Sequence, residues 1–99
     1  MQRLNLPAAT EAMRAVPRWS LGADATSMSR DFLFTDFTQA FAFMTQLALA
    51  AEKRDHHPEW SNVYNRVNIT WTTHDAAGLT QLDIAMAKLC DSLFERYQQ

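Results

Sequence analysis

The chain has a single cysteine, Cys90, and that scarcity excludes an internal disulfide and a zinc site built from several cysteines. It fits a reducing compartment, and Cys90 itself reads as a small buried hydrophobe on a helix. Glycine and proline are also scarce, 2 and 3 among 99 residues, which argues against a disordered or low-complexity chain. No basic run exceeds Lys53-Arg54 and the formal net charge is −2, so the broad positive surface of a nucleic-acid binder is missing. Direct nucleic-acid binding is not expected. No stretch reaches the roughly twenty apolar residues that span a bilayer, and the segment Met1 to Pro7 holds no continuous apolar core of signal-peptide length. The expectation is a soluble, cytoplasmic protein without membrane contact.

What is present is apolar: 47% of the residues are hydrophobic, enough for one core at this length and too few for two. A single domain over 1–99 is expected. Pro7 and the helix formers up to Val16 predict a short helix that Pro17 ends. Trp19-Ser20-Leu21 and Arg30 to Thr35 predict a hairpin of two strands about the turn Gly22 to Ser27, with Phe32 and Phe34 on one face. Asp36 can cap the next helix, with Gln39 in the position of a capping-box partner. That helix is predicted to run from about Phe37 to Lys53.

Phe37, Ala40, Phe41, Met44, Leu47, Ala48 and Ala51 recur at three- and four-residue spacing on this helix and predict its core face. The opposite side is hardly polar, carrying Ala42, Phe43, Leu49 and Ala50, and no charge falls between Asp36 and Glu52. A helix so patterned is buried on both sides, either within the protomer or against another subunit. Beyond it, Trp60 to Val63 and Val67 to Thr73 predict two more strands, the second alternating Val67, Ile69 and Trp71 with Asn68, Thr70 and Thr72. His74 has the parity of the polar set. Thr80 and Asp83 predict a capping box for a last helix with Leu82, Met86, Leu89 and Leu93 as its buried stripe. The order is αββαββα, an α+β fold with two layers: a four-stranded antiparallel sheet covered on one face by helices.

All three histidines fall between His56 and His74, so every side chain that ordinarily titrates near neutral pH lies in one window. His56-His57 reads in two ways: as a solvated helix terminus favoured by the macrodipole, or as the proton-transfer groups of an acid–base site. Glu52, Asp55 and Asp83 could fix tautomers or hold a substrate's donors, Trp60 could bound a planar ligand, and Pro58 restricts the backbone at His57. A metal site is the weaker alternative, because adjacent histidines do not share a helix face and no i, i+4 pair completes one. Nucleophilic catalysis is weaker still, since no G-x-S-x-G elbow occurs and Cys90 has no histidine near it in sequence.

The run Glu52-Lys53-Arg54-Asp55-His56-His57-Pro58-Glu59-Trp60, continuing through Asn62 to Val67, Thr72-Thr73-His74-Asp75, Gly78-Leu79-Thr80 and Asp83, resembles the pterin-4a-carbinolamine dehydratase family. The likeness covers roughly 30–93, includes Asp36-Phe37, and is weak before Trp19. It implies dehydration of a 4a-hydroxytetrahydropterin left by an aromatic amino acid hydroxylase, the functional partner, with no metal or redox cofactor. By the same resemblance His56, His57 and His74 are the catalytic histidines, and Glu52, Asp55, Trp60, Thr72, Thr73 and Asp75 bind substrate. Pro58 and Asp83 support the site. It further implies a homodimer or homotetramer through the helix at about 37–53, and, as the alternative function, a protein-binding module acting as a dimerisation cofactor for a transcription regulator.

Overall fold

The computed structural model describes residues 2–98; Met1, part of the stretch read for a targeting segment, and Gln99 lie outside the described residues. In chain order the elements are α1 (Leu6–Met13), β1 (Ser20–Leu21), β2 (Met28–Leu33), α2 (Phe37–Lys53), β3 (Glu59–Val63), β4 (Arg66–Trp71), a single 3-10 turn (His74–Ala76) and α3 (Gln81–Glu95). All strand pairs are antiparallel and the spatial order is β1-β2-β4-β3. The predicted architecture is the one observed. No helix among the described residues is long and apolar enough to cross a membrane.

Alternation on the two central strands sets the core. Met28 and Phe32 of β2 and Val67, Ile69 and Trp71 of β4 are all fully buried, because successive side chains of a strand point to opposite faces. Register places Met28 opposite Trp71 and Phe32 opposite Val67. Over this face pack α2 and α3. The contact is aromatic: Phe32 lies 5.1 Å from Phe43 and 5.0 Å from Phe94, and Phe34 lies 5.1 Å and 5.2 Å from the same two rings. Arg30 closes the rim of this cluster, stacked 4.5 Å over Phe32 and paired at 2.6 Å with Asp91, which also accepts from the Trp19 indole at 2.8 Å.

Two helix faces differ from the expected ones. On α2 the buried residues are Ala40, Phe43, Leu47 and Ala51, so Phe43 belongs to the core and not to the opposite side. Phe37 and Phe41 are 48% and 56% exposed. A helix apolar all round has no preferred direction of its own; the aromatic partners on the sheet decide, and they take Phe43. On α3 the buried stripe is rotated toward Asp83, Ile84, Met86, Ala87, Cys90, Leu93 and Phe94, leaving Leu82 and Leu89 half-buried. The capping-box reading of α3 is met: Thr80 Oγ1 accepts from Leu82 N and Asp83 Oδ2 accepts from Thr80 N. At α2 the capping residue is Asp36, accepting from Gln39 N at 2.9 Å, but Gln39 reaches one residue further back, to Thr35 N.

Candidate active site

The last turn of α2 determines where the histidine pair points. Arg54 ends the helix and Asp55 follows in the left-handed region at φ 51°. The Asp55 and His56 backbone N–H groups donate back to Glu52 O and Ala51 O, both at 3.1 Å, which is the paired bonding of a Schellman C-cap. Glycine is usual at such a position, and an aspartate there carries a backbone cost of about 1 kcal/mol. The turn folds His56 inward beneath the helix. Pro58 then holds His57 extended and leads into β3.

His56 is buried, only 8% exposed, and held on two sides. Its Nε2 lies 2.6 Å from Asp83 Oδ1, and its ring stacks on Trp71 with 5.4 Å between centroids and 14° between planes. Asp83 is fully buried at the first turn of α3, and its other oxygen accepts from Thr73 Oγ1 at 2.7 Å and Thr80 N at 2.9 Å. The Thr80 and Thr73 hydroxyls are 2.9 Å apart. Oδ2 thus takes two donors, which leaves Oδ1 free to accept from His56 Nε2. Nδ1 has no hydrogen-bond partner among the described residues. So His56 is not the solvated helix terminus that was the alternative reading of the pair.

His57 fits that alternative better: it is exposed and its Nε2 lies 2.7 Å from Glu52 Oε1, a turn back along α2. His74 stands at the start of the 3-10 turn, because β4 ends at Trp71 before the polar alternation reaches it. Thr73 and Gly78 bridge the base of this turn with N–H···O contacts of 3.0 and 3.3 Å. His74 Nε2 lies 3.3 Å from Glu59 Oε2 on β3, with both side chains exposed. Each histidine thus has its own carboxylate, one pair buried and two in solvent.

One cleft of about 330 Å³ is lined by Asp55, His56, His57, Pro58, Glu59, Thr72, Thr73, His74 and Asp75. It gathers the three histidines with most of the residues expected beside them. Glu52, exposed, and Asp83, buried, are outside this lining, each in contact with one of its histidines. Trp60 is half-buried and packs against the core cluster, outside the lining. Thr72 Oγ1 donates to Thr26 O at 2.7 Å, which ties the end of β4 to the β1–β2 turn. Among the described residues no three His, Cys, Asp or Glu side chains are grouped as a metal ion would need.

Two neighbours of the histidines were not expected. Glu59 stands within the motif, and its position two residues after His57, at the start of β3, is the signal for its contact with His74. In sequence Trp71 is the last member of the apolar face of β4. Its contact with His56 crosses the chain, and no local spacing announces it.

The family model described as pterin 4 alpha carbinolamine dehydratase matches residues 2–93. A Mesorhizobium japonicum protein with the provisional name pterin-4-alpha-carbinolamine dehydratase is 53% identical over 93 residues, 94% of this chain and 95% of its own. A Rhizorhabdus wittichii protein of the same provisional name is 55% identical over 85 residues, 86% of this chain and 88% of its own. Among solved structures, a transcriptional coactivator/pterin dehydratase from Brucella melitensis superposes with a TM-score of 0.89 at 47% identity, covering 93% of this chain and 98% of that one. A pterin dehydratase-like protein identified as a RuBisCO assembly factor in the alpha-carboxysome is more distant, with a TM-score of 0.68 at 26% identity over 77% of this chain and 88% of its own.

Proposed function

This chain belongs to the pterin-4-alpha-carbinolamine dehydratase family, and from that premise we propose that it removes water from 4a-hydroxytetrahydropterins by histidine acid–base chemistry in the cleft beside α2. In this elimination the C4a–O bond breaks and the oxygen leaves as water after gaining a proton. The N5 proton passes to a base, and the N–H electron pair becomes the C4a=N5 double bond of the quinonoid product. One proton is delivered and one collected, so the protein ends as it began. Hydroxide leaves poorly, and an acid near neutral pH is what the reaction needs.

The observation that carries this reading is the convergence of three histidines on one cleft, each ring beside its own carboxylate. In the proposal His56, through Nδ1, and His74 exchange protons with the 4a-hydroxyl from different sides, while His57 on Glu52 holds the ring. Asp55, Thr72, Thr73 and Asp75 supply the polar edge that recognises the pterin. The reaction would follow an aromatic amino acid hydroxylase, whose product is this substrate, and the chain would act as a homodimer or homotetramer through α2.

A second reading, a protein-binding role, is favoured by the apolar side of α2 that the protomer leaves open: Phe37, Phe41 and Leu49 are 48%, 56% and 70% exposed. The coactivator and assembly-factor names of the two structural neighbours point the same way. Such a surface can recruit a foreign helix as well as a second copy. Absorbance of freshly generated 4a-hydroxytetrahydropterin, followed with and without the protein, separates the readings. Dehydration above the spontaneous rate is expected, and its absence would leave only the binding role.

A further inference from the structure

Trp71 is fully buried at the end of β4. Val67 and Ile69 fill the two preceding inward positions of the same strand with aliphatic side chains, so the sheet face does not itself require an indole. The indole brings a cost as well: its N–H is buried without a hydrogen-bond partner among the described residues, a state that destabilises a fold. Burial pushes the nearby Cys90 thiol up to about 12, and the indole acts weakly in the opposite direction. What the indole does supply is a flat face against His56, at 5.4 Å and 14°.

That face complements the contact with Asp83. A single bond at 2.6 Å fixes one nitrogen of the imidazole but leaves the ring able to rock about the bonded atom. A broad aromatic surface parallel to the ring removes the rocking. We infer that Trp71 is a positioning residue for the dehydration: acting through His56, it holds the imidazole plane so that Nδ1 meets the substrate at one fixed angle. The kinetic half of this role rests on the dehydratase reading; the geometric half does not.

The test compares the unmodified chain with Trp71→Phe and Trp71→Leu, each first shown to be folded by circular dichroism. Where Trp71→Leu does not fold, Trp71→Met takes its place, filling more of the volume without a ring. Histidine-ring NMR on the ligand-free protein reads the geometry. In the unmodified chain the His56 ring protons are expected upfield of those of His57 and His74, shielded by the indole, with one tautomer protonated at Nε2. Trp71→Leu should lose the upfield displacement and mix the tautomers while His57 and His74 stay unchanged, and Trp71→Phe should restore the pattern. In the dehydration assay Trp71→Leu should lose about tenfold in kcat with KM within about twofold, and Trp71→Phe should recover most of the loss. A folded Trp71→Leu with a single His56 tautomer and full kcat overturns the role. So does a loss that falls equally on KM, or one that phenylalanine does not recover. An unmodified chain that shows the NMR pattern yet gives no dehydration overturns the dehydratase reading and the kinetic half, and supports the geometric half.

Discussion

His56 and His74 differ most in what their removal leaves behind. His56→Ala strands the fully buried Asp83 carboxylate without its principal partner, which should cost about 3–5 kcal/mol of stability as well as activity. His74 has its side chain 75% exposed, so His74→Ala should leave the unfolding midpoint within about 0.5 kcal/mol of the parent while lowering kcat on the order of 100-fold. Chemical denaturation beside the dehydration assay checks both, and full activity in His74→Ala would refute its part in proton transfer. At Cys90, burial raises the thiol from its ordinary 9.0 to about 12, so the folded protein should resist alkylation by iodoacetamide at pH 8 and react on unfolding. The sign for stability follows, since the folded state keeps this proton longer than the unfolded chain. The contribution is whole below pH 9.0 and is lost as pH rises from 9.0 toward about 12, which alkaline unfolding curves of the parent and Cys90→Ala would reveal. The residue types of the site were legible in the sequence because titratable groups crowd into one short window. What each does was less so: Asp83 looked like a cap with a second possible use, and only the packing of α3 turns its free oxygen onto His56.

The elements were legible where a local rule acts alone. Asp36 and Thr80 announced the starts of α2 and α3, and the alternation Val67, Ile69, Trp71 announced the inner face of β4. The rule failed on α2 because its residues are apolar on every side, so direction came from Phe32, Phe34 and Phe94, which lie outside the helix. It failed again at His74, where the strand stops and the chain turns into a tight 3-10 coil closed by Thr73 and Gly78. The C-terminus of α2 offers a test at this scale. Asp55 holds φ 51°, a conformation glycine adopts freely, so Asp55→Gly should gain about 0.5–1 kcal/mol of stability by relieving that backbone. Because Asp55 also lines the cleft, the same variant should bind pterin more weakly. Unfolding midpoint and KM rising together is the expected result; a variant less stable than the parent would refute the strain account.

At the scale of the molecule, the helices cover one face of the sheet and leave their own outer side unfinished. Phe37 and Phe41 touch ring to ring at 5.8 Å yet both remain open to solvent, with Leu49 further along the same helix. A second copy of α2 is the proposed cover. Sedimentation should then show more than one chain, and Phe41→Glu should shift the population toward monomer with an unchanged circular dichroism spectrum, since Phe41 supports nothing in the protomer core. A parent that sediments as a clean monomer at micromolar concentration would rule the interface out. The cleft is lined by residues that follow α2, begin β3 and follow β4, so its shape depends on the register of β3 against β4.

The stacking of one indole on one buried imidazole also makes the protein its own optical instrument. Imidazole quenches indole emission when the two are in contact, and more strongly once it carries a proton. Trp19 donates to Asp91 and Trp60 packs against the core cluster, and among the described residues Trp71 is the indole stacked on His56. A pterin entering the cleft should therefore change the intrinsic fluorescence, without a dye and without a label, and Trp71→Phe should abolish that change.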